Sequence, residues 1–171
     1  MPAAAALDLP VSRIAEKADS VMFCLSKGLG APVGSLLVGT ERAITKGRLY
    51  RKRLGGGMRQ AGVLAAAGLV ALEETPPRLA EDHANARLLA EGLARVPGVR
   101  LDPAAVRTNI VIFDVSETGL TPADLSARLH ARGVLMNGVG GTRMRAVTHF
   151  DVTREQCEQA VDVLRQAAVN T

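Results

Sequence analysis

The feature that most limits the possible folds of this chain is its shortage of aromatic residues. Aromatic side chains make up 2% of the 171 residues, with no Trp, one Tyr and three Phe. Hydrophobic residues are nonetheless 47% and charged residues 22%, so we expect a globular core built from Ala, Val and Leu. The same shortage argues against a module that stacks nucleic-acid bases on aromatic side chains.

The positive charge is concentrated in one segment. The net charge is +4, and seven basic residues lie between Glu41 and Gln60 beside one acid. Such a run is typical of a solvated helix face, and without interleaved aromatic residues it disfavours nucleic-acid binding.

Cys24 and Cys157 lack metal-ligand spacing, and the N-terminus lacks a basic leader. We therefore expect a cytoplasmic protein with no metal site and no membrane span.

The first part of the chain has the pattern of two strands followed by helices. Apolar runs predict strands at residues 19–25 and 33–38, joined by a loop rich in glycine. Helices are expected at 41–54, 58–74 and 79–95. The second of these is apolar nearly all round, which predicts a buried helix.

The pattern changes near Pro97 to that of a small α+β lobe. We expect strands at residues 99–101, 109–115 and 143–150, and helices at 121–132 and 153–168. The sequence therefore predicts an α/β chain in two parts, residues 1–97 and 98–171.

Lys27 is the position with the clearest chemical potential. The chain has four lysines, and this one follows an apolar strand and lies between Ser26 and Gly28. Small neighbours leave room for a planar group, and apolar surroundings favour the neutral lysine amine that forms a Schiff base. A solvated loop lysine is the alternative.

A second candidate site is the glycine stretch at residues 55–57, which has Lys52 before it and Arg59 after it. Glycines ahead of a helix leave backbone N–H groups free to bind an anion. We expect Arg59 in the first turn of that helix, where a cation is disfavoured unless an anion binds. A flexible linker with a solvated arginine is equally compatible with this pattern.

A third candidate site lies on the strand that follows the glycines near residue 140. Strand alternation predicts that Arg143, Arg145 and His149 share one face, while Met144 and Thr148 share the other. Two arginines on one face can bind a carboxylate. They are equally consistent with the charged face of an edge strand.

His83 and His130 fit surface positions of helices, and Cys24 fits a buried strand.

Three segments of the sequence resemble one family. Residues 19–35, which contain Lys27, resemble the cofactor-lysine segment of the low-specificity L-threonine aldolases, which are fold-type-I pyridoxal-phosphate enzymes. Residues 51–62 resemble the glycine-rich stretch of that family, and residues 145–152 resemble its Arg-x-Val-Thr-His segment. The resemblance implies the C-terminal part of an aspartate-aminotransferase-like fold, with a remnant of the large domain and a small α+β C-terminal domain.

The resemblance also implies a role for each site residue. Lys27 would form the Schiff base with pyridoxal 5'-phosphate, and Arg145 would hold the substrate carboxylate. Lys52 and Arg59 would contact the cofactor, with its phosphate reached across a subunit interface of a homotetramer. The implied reaction is the cleavage of L-threonine or L-allo-threonine to glycine and acetaldehyde.

Members of that family are about twice as long as this chain. Their Asp-Gly-Ala-Arg segment, the histidine that stacks on the cofactor ring and the Gly-Thr phosphate cup have no counterpart here. The alternative is therefore a truncated, non-catalytic gene product that keeps the fold and an oligomer interface. We expect the strands of the first part to lack neighbours and to expose an apolar face, which favours weak stability or oligomerisation.

Overall fold

The computed structural model describes residues 1–168. These residues form two compact units, the first spanning Met1–Leu79 and the second beginning at Ala80. The mixed α/β class predicted from the sequence is confirmed. The elements in chain order are α1 (Pro2–Leu7), α2 (Val11–Ala15), β1 (Ser20–Cys24), β2 (Ser35–Gly39), α3 (Glu41–Arg53), α4 (Gly62–Glu74), α5 (Leu79–Leu93), β3 (Ile110–Asp114), α6 (Pro122–His130), β4 (Asn137–Gly140), β5 (Arg143–Val147) and α7 (Arg154–Ala168).

The first unit contains the predicted pair of strands. β1 and β2 pair antiparallel, with Ser20 opposite Gly39 and Cys24 opposite Ser35. The small core beside this hairpin consists of buried Leu and Ala side chains from the connecting loop and from α4. Cys24 is half-buried at the strand end, so its predicted place in the core is wrong.

The basic helix of the first unit, α3, begins and ends almost where the sequence predicts. The Thr40 side chain caps it by accepting a hydrogen bond from the Ala43 N–H at 3.3 Å. Thr is a favourable N-cap residue because its oxygen satisfies an N–H group that has no partner within the helix. No side chain of α3 is buried, which confirms a solvated helix.

The structure corrects the prediction for α4 in two respects. The helix begins at Gly62 and not near residue 58, because Gln60 has a left-handed backbone with φ of 49°. In addition, α4 buries only Gly68 and Ala71 among the described residues. Val63 is 79% exposed, so a helix that is apolar all round is not a buried helix here.

The predicted exposure of apolar surface in the first unit is confirmed. β1 and β2 form a sheet of two strands, and every residue of β2 is exposed. The exposed apolar side chains of β2 and α4 include Leu37, Val38 and Leu69. Exposed apolar patches of this kind are typical of surfaces that bind a partner.

The second unit contains a three-stranded antiparallel sheet with the order β3-β5-β4. β5 is therefore the central strand, and the alternative that Arg143 and Arg145 lie on an edge strand is wrong. β4 was not predicted, because its sequence Asn-Gly-Val-Gly lacks an apolar alternation. The predicted strand at residues 99–101 is only an isolated bridge between Arg100 and Asp114, since Pro103 begins a short 3-10 turn directly afterwards.

The core of the second unit lies between this sheet and the helices α5, α6 and α7. Its buried residues come from one face of the sheet and from the apolar stripes of the three helices. α6 is capped by Thr121, whose side chain accepts a hydrogen bond from the Asp124 N–H at 3.2 Å. α5 and α7 approach closely at Gly92, where a Cβ would lie 2.5 Å from Val161 Cγ2.

The two compact units divide earlier than the domain boundary predicted at residue 97. The reason is that Ala86, Leu89, Ala90 and Leu93 of α5 belong to the core of the second unit. His83, on the same helix, is 8% exposed, so its predicted surface position is wrong.

Candidate functional site

Lys27 lies in the loop that connects β1 to β2. The loop is closed by hydrogen bonds from the Leu25 N–H to the Gly34 carbonyl at 2.9 Å and from the Ala31 N–H to the Leu25 carbonyl at 3.0 Å. The Lys27 carbonyl accepts a further hydrogen bond from the Gly30 N–H at 2.8 Å. The backbone that carries Lys27 is therefore held in a defined turn.

The loop is also anchored in the core on both sides of Lys27. Leu25 and Leu29 are buried, and the Thr75 hydroxyl donates a hydrogen bond to the Leu29 carbonyl at 2.9 Å. Lys27 itself is exposed. The prediction that its amine has apolar surroundings is therefore wrong among the described residues. The leucines point inward while the lysine lies on the turn between them, which leaves the amine accessible to a ligand.

Lys52 lies in the last turn of α3, immediately before the glycine stretch 55–57. The helix ends with hydrogen bonds from the Leu54 N–H to the Tyr50 carbonyl and from the Gly56 N–H to the Arg51 carbonyl. A Cβ at Gly57 would lie 2.9 Å from Lys52 Cδ. The stem of Lys52 thus lies against the glycine stretch, and a larger residue at Gly57 would displace it.

Arg59 lies in the loop before α4 and not in the first turn of that helix, as the sequence predicted. α4 begins three residues later, at Gly62, and its N-cap residue Ala61 provides no side-chain hydrogen bond. The unfavourable position of a cation inside the helix N-terminus is therefore avoided. Lys52 and Arg59 are both exposed and lie on either side of the same glycine stretch.

Arg145 lies on the central strand of the second unit. The predicted alternation is confirmed, because Met144 and Ala146 are buried whereas Arg143 and Arg145 are exposed. Arg145 lies opposite Ile112 of β3 and opposite Asn137 of β4. Side chains directly opposite each other on neighbouring strands have Cβ atoms about 4.5–5.5 Å apart, so Asn137 shares the surface around the guanidinium.

Arg143 has a different environment, because it lies opposite Asp114. The Asp114 carboxylate accepts hydrogen bonds from the Ser116 hydroxyl at 2.5 Å, from the Thr142 hydroxyl and from the Ser116 N–H at 2.8 Å. These hydrogen bonds, with the Ser116 hydroxyl first, lower the pKa of Asp114 to about 2. Arg143 thus lies opposite a residue that can carry a negative charge, whereas the residues opposite Arg145 are uncharged. Of the two arginines, Arg145 is the better placed for an external carboxylate.

His149 follows β5 and lies on the exposed side of the chain. Its Nδ1 is 3.5 Å from Asp151 Oδ2 and accepts a hydrogen bond from the Asp151 N–H at 3.4 Å. The imidazole is therefore part of the turn that follows the strand. This environment supports a structural role for His149.

Asn137 was not predicted as a member of the Arg145 surface. The only signal for it is the register of β4 on β5, and the glycines of β4 conceal that strand. The second unit also has a cleft of about 470 Å³ beside the end of β5, whose lining includes Arg132, His149 and Gln159. Its lining among the described residues does not include Arg145, so we do not assign it as the site.

The candidate residues belong to both units. Lys27, Lys52 and Arg59 lie in the first unit and Arg145 lies in the second. Residues 1–168 contain no cluster of three or more metal-ligating side chains. Over the same residues, no helix combines the length and the apolar character needed to cross a bilayer.

Comparison with known families gives a match over residues 1–117 to the family described as beta-eliminating lyase. Among curated proteins, "Low-specificity L-threonine aldolase 1" of Arabidopsis thaliana is 46% identical over 166 residues, which are 96% of this chain and 46% of that protein. The chain spans less than half the length of the curated relatives that it matches.

Two solved structures have a similar fold. One is described as a candidate L-allo-threonine aldolase of Listeria monocytogenes and has a TM-score of 0.77 at 17% identity, covering 96% of this chain and 48% of that chain. The other is SPT with PLP, with a TM-score of 0.68 at 22% identity, covering 87% of this chain and 39% of that chain. These comparisons show the fold, which is that of the fold-type-I pyridoxal-phosphate enzymes.

Proposed function

Because this chain belongs to the beta-eliminating lyase family, we propose that it acts as part of a pyridoxal-phosphate-dependent lyase. The proposed reaction is the cleavage of L-threonine or L-allo-threonine to glycine and acetaldehyde. The observation that carries this proposal is the 46% identity to a low-specificity L-threonine aldolase along 96% of the chain. That span includes Lys27, Lys52, Arg59 and Arg145.

The residues of the first unit fit a cofactor with an aldehyde and a phosphate. Lys27 offers an exposed primary amine on a loop whose backbone is fixed by hydrogen bonds. Lys52 and Arg59 offer two cations beside a glycine stretch, a combination suited to a phosphate. When bound, pyridoxal phosphate supplies a conjugated ring that accepts the electrons of the breaking Cα–Cβ bond. In this proposal Lys27 provides the covalent attachment, and the two cations neutralise the phosphate across a subunit interface.

Arg145 binds the substrate carboxylate in this proposal. Its guanidinium presents two parallel N–H groups that match the two oxygens of a carboxylate. Asn137, opposite Arg145 on β4, adds a neutral hydrogen-bonding group to the same surface. Ile112, on the other side, is 47% exposed and limits the access of water to that side of the ion pair. The carboxylate is thereby held while the bond at Cα breaks.

We further propose that the protein is a homo-oligomer with no nucleic-acid partner and no membrane partner. The exposed apolar side chains of α4 and β2 support assembly, because exposed apolar patches often mark surfaces that bind another protein. Cys24 and Cys157 are both unpaired, which supports a reducing compartment such as the cytoplasm.

The proposal is tested by incubating the protein with pyridoxal phosphate and L-threonine and measuring the acetaldehyde formed through reduction by alcohol dehydrogenase and NADH. We expect Lys27→Ala to abolish acetaldehyde formation. Lys17→Ala, which removes an exposed lysine outside the glycine-rich segments, is the matched control and should have no effect. Equal rates in the two variants would contradict the role of Lys27. No acetaldehyde from the unmodified chain would favour the non-catalytic alternative.

A further inference from the structure

Thr148, the residue directly after β5, is held by hydrogen bonds to two other segments of the second unit. Thr148 is 2% exposed, and its hydroxyl donates a hydrogen bond to the Asp82 carbonyl of α5 at 2.6 Å. Its backbone N–H donates to the Asn109 carbonyl at 3.0 Å, and Asn109 Nδ2 donates to the Thr148 carbonyl at 2.9 Å. Thr148 therefore connects β5 both to the segment before β3 and to the first turn of α5.

A second hydrogen bond connects α5 to the same segment. Asn85 Nδ2 donates to the Val152 carbonyl at 3.2 Å. Asp82 and Asn85 are three residues apart, so they lie on the same face of the helix. α5 thus contacts the chain after β5 at two points, Thr148 and Val152.

The hydroxyl of Thr148 is not explained by packing alone. The residues of β5 that face the same side as Thr148 are Met144 and Ala146, and both are buried and apolar. Valine has nearly the same shape as threonine and would fill the position without a polar atom to satisfy. A buried hydroxyl is tolerated because it has a partner, and here that partner is the backbone of α5.

We propose that Thr148 is a positioning residue for Arg145. Arg145 lies three residues before Thr148, which directly follows the last residue of β5, and the two side chains project to opposite sides of the sheet. A displacement of β5 relative to α5 moves both residues together, because the strand between them is continuously paired with β3. The Thr148 hydroxyl thereby fixes the position of the Arg145 guanidinium. This inference rests on the proposed function, in which Arg145 binds a carboxylate.

The test uses the full chain with ¹⁵N-labelled arginine and glycine as the carboxylate probe. The change in the Arg145 Nε–H signal gives the glycine affinity, and amide hydrogen exchange reports how firmly β5 is held. Thr148→Val should weaken glycine binding by about threefold to tenfold, the equivalent of one lost hydrogen bond, and should speed exchange at Ala146. Thr148→Ser keeps the hydroxyl and should stay within about twofold of the unmodified chain.

The matched control is Thr118→Val. Thr118 is also buried in the second unit, and its hydroxyl donates to the Val115 carbonyl at 2.7 Å and accepts from the Leu120 N–H at 3.2 Å, so its hydrogen bonds lie within the segment that follows β3. A purely structural loss lowers the stability of the whole unit and leaves the glycine affinity of the folded molecules unchanged. Identical glycine affinities and Ala146 exchange rates in Thr148→Val and Thr118→Val would overturn the proposal.

Two further results keep the test decisive. If Thr148→Val does not fold, Thr148→Ala removes the same hydroxyl, and a glycine affinity and an Ala146 exchange rate equal to those of Thr118→Val would overturn the proposal. If glycine does not shift the Arg145 signal in the unmodified chain, the carboxylate role of Arg145 fails. The exchange rates then still decide whether Thr148 fixes β5.

Discussion

Replacing Gly92 by alanine tests the close packing of α5 against α7 most sharply. The added Cβ would lie 2.5 Å from Val161 Cγ2 and 2.8 Å from Val161 Cγ1. Carbon atoms in contact are about 3.5–4.0 Å apart, so either the helices or the valine must move by about 1 Å. Val161 is 6% exposed and branched at Cβ, which leaves it few alternative rotamers. α5 also carries the Asp82 carbonyl that binds Thr148, so this packing supports the Arg145 strand.

The magnitude follows from two opposing effects. Overpacking a core costs about 1–3 kcal/mol, while alanine is favoured over glycine in a helix by about 1 kcal/mol. We expect Gly92→Ala to lower the free energy of unfolding by about 0–2 kcal/mol, the difference between these two effects. Val161→Ala alone should cost about 2 kcal/mol from the lost methyl groups. The double variant should lose about 2 kcal/mol less unfolding free energy than the two single variants lose in sum. The reason is that the new Cβ occupies the space that the valine leaves.

The assay is urea unfolding of the four proteins in this cycle, with stability read from the midpoint at constant slope. Ala84→Gly, at an exposed position of the same helix, measures the difference in helix propensity between alanine and glycine without the close packing found at Gly92. A Gly92→Ala variant that is more stable than the unmodified chain, together with additive losses in the double variant, would refute the close contact between the helices.

Three further predictions concern titration and capping. Burial lowers the pKa of His83 below the usual value of a histidine, so the folded state disfavours the proton that the unfolded state accepts. Stability should therefore fall as the pH drops through about 6.5, the ordinary pKa of histidine, and His83→Leu should flatten that dependence in thermal melts. Asp114, whose pKa is lowered to about 2 chiefly by the Ser116 hydroxyl, contributes stability above its unfolded pKa near 3.8 that is lost as pH falls towards 2; a carboxyl NMR titration with a midpoint near 4 would contradict this. Thr121→Ala removes the cap of α6, in which Thr121 Oγ1 accepts a hydrogen bond from the Asp124 N–H. The variant should lose about 1 kcal/mol of unfolding free energy in chemical denaturation. An unchanged unfolding free energy would mean that the cap is not formed.

Local sequence patterns predicted the elements whose signals lie within the element itself. The alternation around Arg145 predicted which side chains of β5 are exposed, and the helix expected from residue 121 begins one residue later, at Pro122. The strand–loop–strand pattern around Lys27 was also recovered as an antiparallel hairpin. These patterns suffice because alternation and capping depend on neighbouring residues only.

Features that depend on distant residues were not predictable in this way. α4 has an apolar composition, yet its burial depends on whether another surface packs against it, and the described chain leaves most of it exposed. β4 is recognisable only by its pairing with β5, because its two glycines give no strand signal. The hydrogen bond from Thr148 to Asp82 spans 66 residues, and no local pattern indicates it.

The assignment of Lys27 as the cofactor lysine is the central claim, and chemical trapping tests it most directly. The protein is incubated with pyridoxal phosphate, reduced with borohydride, digested and mapped by mass spectrometry. We predict a phosphopyridoxyl group on Lys27 at near-stoichiometric occupancy, with Lys17, Lys46 and Lys52 unmodified. An unmodified Lys27, or an adduct distributed evenly over the four lysines, would contradict the assignment.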